Sequence, residues 1–153
     1  MQVDIQKATS EPVPAEDDIR RWVSAALADY SDDAEITVRL VDQDEMATLN
    51  RAYRGKSGAT NVLSFPADLP ADLELPLLGD IVICAPLVLR EAAEQNKAPD
   101  AHWAHLTVHG TLHLLGYDHI KEGEAVAMEA IETTILATLD YPCPYASLEQ
   151  SLQ

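Results

Sequence analysis

Three histidines stand within one short stretch, His109-Gly110-Thr111-Leu112-His113-Leu114-Leu115-Gly116-Tyr117-Asp118-His119. His109 and His113 are four apart, so on a helix both imidazoles lie on one face, one turn apart. Gly116 offers the left-handed backbone that ends a helix, and the chain can turn there and return His119 to the same face. Three neutral imidazoles converging on one point make a tripod for a zinc-like ion. A tetrahedral ion with three protein ligands keeps its fourth position for water, the catalytic rather than the structural arrangement.

The spacing is in register, at all three histidines and the glycine, with the metzincin protease pattern His-Glu-x-x-His-x-x-Gly-x-x-His. The glutamate of that pattern is the peptidase general base, and Gly110 stands in its place. The metal cage is present and the base is missing from its usual position. A lone histidine on an apolar helix is usually a core residue, but three in this register with a glycine stop are not explained that way. His105 lies one turn before His109 and shares its face, yet it would sit about 12 Å from His113 along the axis, too far to share one ion. His105 and His102 are therefore expected to flank the site, at most orienting a ligand from outside, and more simply to be surface histidines. Asp118, beside His119, is expected to orient a ligand from outside the coordination sphere, with a plain turn aspartate as the alternative.

A second cluster is basic. Arg51, Arg54 and Lys56 fall within six residues, just before Ser57-Gly58-Ala59-Thr60-Asn61, and account for three of the ten basic residues of the chain. Cations at a helix end complement its dipole. In a chain of formal charge -16, an anion-binding loop is the other reading.

These groups need elements to position them. Alternation over Val3–Lys7 reads as a short strand. Glu16-Asp17-Asp18 open a helix that continues through Ile19, Trp22, Val23, Ala26, Leu27 and Tyr30, and Ser31-Asp32-Asp33 is a turn. Ile36, Val38 and Leu40 mark a second strand. Asp42 and Glu45 form a capping-box-like pair for a helix that ends by Gly55. Val62–Pro66 is a third strand, Ala67–Leu78 a surface loop, and Gly79–Ala85 a fourth strand whose continuous apolar run predicts burial on both faces. Asp80 at its start is unusual, with a turn residue as the bland reading. Leu87–Asn96 is a helix with Pro86 at its start. Asp100 is expected to cap the next helix, which carries His109 and His113. Its apolar residues lie on two faces, so it should be almost wholly buried. A last helix from Glu122 turns Met128, Ile131, Ile135 and Leu139 inward. Strands mixed with helices of these lengths predict one small sheet covered by helices, α/β or α+β. The third and fourth strands suit an antiparallel pair.

At 153 residues, 47% of them hydrophobic, the chain is expected to be one domain with one core. Its acidity is the wrong sign for a general nucleic-acid binder, so any such partner must meet a local basic patch. Cys84 sits in an apolar run and Cys143 between two prolines, with no metal-ligand spacing to one another. Met1–Ser10 is polar and alternating, unlike a signal peptide, and no apolar run approaches ~20 residues. The expected address is the cytoplasm.

Three blocks in order resemble the YbeY (UPF0054) family of bacterial metal-dependent endoribonucleases. The first is Leu49-Asn50-Arg51-Ala52-Tyr53-Arg54-Gly55-Lys56 with Thr60-Asn61-Val62-Leu63-Ser64-Phe65-Pro66. The second is Leu78-Gly79-Asp80-Ile81-Val82-Ile83, and the third runs from His109 to His119 and includes Gly110, Tyr117 and Asp118. Outside these blocks the resemblance lies only in the pattern of elements. It departs mildly at Asn61, where an aspartate is common. The resemblance implies a four-stranded mixed sheet with about five helices, a zincin-like metal helix, one zinc ion on His109, His113 and His119, and Arg54 as the other essential polar group. It also implies cleavage of single-stranded rRNA in 16S 3′-end processing and ribosome quality control, with the ribosome and its proteins as partners and no membrane or DNA. Arg51 and Lys56 would then help hold substrate. RNA carries its own nucleophile, the 2′-OH, so a Lewis acid and a cation suffice and no glutamate base is required. Direct attack by an activated water is the alternative. The rival classes are a metalloprotease, weakened by Gly110, and a metal-binding ribosome-associated protein without catalysis.

Overall fold

Apolar and polar residues alternate along the strands, and that alternation decides which face of the sheet each side chain meets. The computed structural model describes residues 1–28, 34–67, 77–117 and 122–144, with only the backbone of 122–124. The order is β1 (Gln2–Ala8), α1 (Glu16–Leu27), β2 (Glu35–Val41), α2 (Gln43–Arg54), β3 (Val62–Pro66), β4 (Leu77–Cys84), α3 (Ala85–Glu94), α4 (Pro99–Leu114) and α5 (Glu122–Thr138). The strands make one sheet in the order β1-β2-β4-β3. β1 and β4 run parallel to β2, and β3 runs antiparallel to β4. Among the described residues this is the expected α+β architecture, a four-stranded mixed sheet with five helices. No helix among the described residues is long and apolar enough to cross a membrane.

Val38 and Leu40 of β2 pair with Ile81 and Ile83 of β4 and face the larger core, where α1, α4 and α5 contribute Trp22, Trp103, Leu112 and Met128. Val41, Leu63, Val82 and Cys84 face the other way, against Met46 of α2 and Leu87 of α3. β4 is thus buried on both faces from Ile81 to Cys84, as its apolar run requires. Asp80 is no turn residue: it lies within β4, exposed.

α4 crosses the sheet so closely that position 110 admits no side chain. A Cβ on Gly110 would stand 2.8 Å from Ile81 Cγ2 and 3.3 Å from Ser64 Oγ. The Ser64 hydroxyl donates to the Gly110 carbonyl at 2.9 Å, tying edge strand β3 to the helix. The missing glutamate is therefore a packing requirement, because position 110 faces the sheet. Gly110→Ala should gain up to about 1 kcal/mol of helix propensity and lose about 1–3 kcal/mol to overpacking, a net loss in a thermal melt. Gly110→Glu, which also buries an unpaired carboxylate, should fail to fold rather than become a peptidase. A Gly110→Glu protein melting near the wild-type temperature would contradict this packing.

Several local expectations are corrected. Asp42 precedes α2 but makes no side-chain cap. Its carboxylate accepts from the Thr9 hydroxyl, and Glu45 instead takes Arg39 in a two-point fork at 2.6 and 3.0 Å. A charged fork outcompetes a single reach to a backbone N–H. α4 starts before Asp100: Ala98 is its N-cap and Asp100 lies inside the first turn, where its charge still complements the dipole. α3 begins at Ala85, with Pro86 in its first turn, and β4 already includes Leu77 and Leu78. The residues expected inward on α5 do meet the core, Met128 buried and Ile131, Ile135 and Leu139 half-buried against it, and the seam adds Glu132 and Leu136. The expected turn at 31–33, Tyr30, and positions 68–76 of the expected loop lie outside the described residues.

Candidate metal centre

α4 carries histidines at 102, 105, 109 and 113, spaced so that they form one stripe along the helix. Successive ring centroids stand 6.0, 6.2 and 4.6 Å apart. At the end of the stripe the Nε2 atoms of His109 and His113 approach to 3.1 Å. A tetrahedral ion bonded to nitrogen at 2.0–2.1 Å holds its ligands roughly 3.3 Å apart. The pair is therefore spaced as two ligands of one ion, and an all-imidazole donor set suits zinc. α4 then closes with the Gly116 N–H on the His113 carbonyl at 3.0 Å and the Tyr117 N–H on the Leu112 carbonyl at 3.1 Å. Those are the two bonds of a Schellman stop, and Gly116 takes the positive φ of +101° that the stop needs. The chain turns where the sequence required it to. His119 and Asp118, expected just beyond, lie outside the described residues.

The other nitrogen of His109, Nδ1, hydrogen-bonds Glu132 Oε1, and Glu132 Oε2 stands 3.3 Å from His105 Nε2. Glu132 is 0% exposed. Sequence reasoning missed it. The available signal was a charged residue midway between Met128 and Leu136 on an apolar seam, where burial demands a partner. His105, His109 and Glu132 also bring one potential ligand atom each within 4.8 Å of one another.

His105 and His102 are not surface residues, contrary to expectation. Their side chains are 13% and 4% exposed, because α4 is covered by the sheet and by its neighbouring helices. His102 Nε2 lies 2.9 Å from Glu91 Oε1 on α3. Burial pushes the His102 imidazole below its ordinary pKa, against the upward pull of Glu91. Glu91 also accepts from the Asn61 amide at 3.1 Å. An aspartate at 61 would set a second carboxylate against Glu91, which accounts physically for the asparagine here.

Arg51 and Arg54 occupy the last turn of α2 and Lys56 follows Gly55; all three are exposed. The ion pairs among the described residues involve none of them. Gly55, at φ +68°, ends the helix and turns the chain towards β3. Between the two arginines Tyr53 is 54% exposed, its ring 4.4 Å from that of Phe65. Phe65 faces the α2 side of β3, while Ser64 faces α4. The basic turn and the histidine stripe thus belong to opposite faces of the sheet, with edge strand β3 between them.

Residues 3–140 match the family model described as Endoribonuclease YbeY. A protein of that name from Stutzerimonas stutzeri is 57% identical over 147 residues, which cover 95% of this chain and 92% of that protein. Another, from Pseudomonas entomophila, is 56% identical over 150 residues, 97% of this chain and 96% of that protein. The solution structure of TM1509 from Thermotoga maritima is similar in fold, with a TM-score of 0.60 at 23% identity over 90% of this chain and 91% of that one.

Proposed function

Because the chain belongs to the YbeY endoribonuclease family, we propose that it cuts single-stranded ribosomal RNA with one zinc ion held by His109, His113 and His119. The observation that supports the metal most directly is the 3.1 Å approach of the His109 and His113 Nε2 atoms. A bound zinc supplies a Lewis acid for a phosphate oxygen. Arg54 offers the planar fork that matches phosphate, and Arg51 and Lys56 add charge along the strand. Tyr53 presents an aromatic face between the arginines on which a base can stack. Asp118, outside the described residues, is assigned the role of orienting a ligand of the metal.

Gly110 leaves no room for a carboxylate base, so the reading favours the substrate's own 2′-OH as nucleophile. The 2′-oxygen bonds to phosphorus, the P–O5′ bond breaks, and a proton passes from the 2′-oxygen to the leaving 5′-oxygen. Substrates are then RNA and not DNA, the 16S 3′ end among them, and the setting is the cytoplasm. With a formal charge of -16, the protein repels RNA beyond the basic turn, so binding to free RNA is weak and salt-sensitive. Ribosomal partners raise the effective concentration.

The experiment replaces one ribose, 5′ to the scissile phosphate, by deoxyribose or its 2′-O-methyl form. Cleavage should stop at that site, and the 5′ product from unmodified RNA should carry a cyclic phosphate. Efficient cutting of the deoxy substrate would defeat the 2′-OH mechanism and leave the metal site standing.

A further inference from the structure

We infer that Glu132 is a positioning residue: it holds His109 in the tautomer with Nδ1 protonated, so that the Nε2 lone pair is the one offered to the metal. The inference rests on the metal reading above. A carboxylate only accepts hydrogen bonds, and a neutral imidazole carries one N–H. With Glu132 ionised and His109 neutral, as a metal ligand must be, the contact of Glu132 Oε1 with His109 Nδ1 places that proton on Nδ1. Nε2 is left as the basic nitrogen, and Nε2 is the atom that faces His113. The second oxygen is occupied as well, by His105 Nε2 at 3.3 Å. His105 thus holds the carboxylate from the far side, and Glu132 meets one imidazole with each oxygen in a wholly buried position.

The same three residues form a compact candidate cage of their own, which geometry argues against. Two atoms bonded to one zinc at about 2.0–2.2 Å stand more than 3 Å apart. His109 Nδ1 and Glu132 Oε1 are in direct hydrogen-bond contact, so an ion would meet His109 at Nε2, the nitrogen that faces His113. Glu132 acts on the metal through His109, by fixing the ring and raising its basicity. α5 supplies this group to the middle of α4, against His105 and His109, which ties the site to the packing of the two helices.

Two measurements test the inference. Nitrogen-15 spectra of the imidazoles in the metal-stripped wild-type protein report the tautomer directly. His109 protonated on Nδ1 is expected, and His109 protonated on Nε2 would overturn the assignment with the metal site intact. The second is Glu132→Gln, which keeps the shape and removes the charge. Competition against a zinc chelator should show affinity reduced by about 10–100-fold, still with one zinc per chain at saturation. His105→Gln should lose far less. Unchanged affinity in Glu132→Gln overturns the positioning role. Loss of the stoichiometric ion in both Glu132→Gln and His105→Gln, with full retention in His113→Ala, makes Glu132 a ligand and overturns both this inference and the proposed tripod.

Discussion

His113→Ala should purify with almost no zinc and should cut RNA slower by on the order of 10³-fold, the scale of losing an electrostatic centre from an active site. The substitution removes one of three proposed ligands, whereas loss of an outer partner alone already weakens metal binding about 10–100-fold. The effect should fall on the site rather than the fold. His113 stands at the C-terminal end of α4 and is only partly buried, while the core contacts of the helix are made by residues such as Trp103, Val108 and Leu112. The stripped variant should therefore melt close to the stripped wild type. His102→Ala makes the contrast: it breaks the buried pair with Glu91 and should cost stability while leaving the metal in place. Metal content by mass spectrometry, read beside the two melting curves, separates these outcomes.

Arg54→Ala should reduce kcat/KM by roughly 10²–10³-fold, the scale of removing a cation that meets the substrate phosphate from across edge strand β3. Metal content and melting temperature should stay as in the wild type, because Arg54 is exposed and its side chain makes no ion pair among the described residues. Arg54→Lys should recover activity only in part, since a point charge lacks the planar two-point fork. Arg51→Ala and Lys56→Ala should act more weakly, through binding. Each should lower the salt dependence of RNA affinity by about one phosphate contact. Full activity in Arg54→Ala would remove this residue from the reaction.

The parts of this molecule that repeat at short range were legible in the sequence. Ile36, Val38 and Leu40 announced β2 by alternation, the apolar run of β4 announced its double burial, and Gly55 and Gly116 marked the ends of their helices. The His109–His113 spacing placed two imidazoles on one face, where the structure has them. What was not legible depended on partners distant in sequence. Glu132 reaches His109 across 23 positions; its place between Met128 and Leu136 on the apolar seam of α5 signalled burial, but not which residue it would meet. The inward set Met128, Ile131, Ile135 and Leu139 was legible and packs on the core, but that set left out Glu132 and Leu136, which lie in the same seam. His102 and His105 looked peripheral because helical geometry alone measures their distance from His113. Their burial is set by the sheet and helices that cover α4, which bring Glu91 of α3 and Glu132 of α5 against them. Gly110 was read as a missing base, and only the close approach of Ile81 and Ser64 shows why the position must be glycine.

The most direct test of the account is a single-turnover assay on a single-stranded RNA oligonucleotide with untagged protein, first stripped by chelator and then titrated with zinc. The account predicts no cleavage by the stripped protein, and activity that rises linearly and stops at one zinc per chain. It also predicts no recovery at the same additions in His113→Ala. Full-rate cleavage by stripped wild-type protein, or equal recovery in His113→Ala, would contradict it.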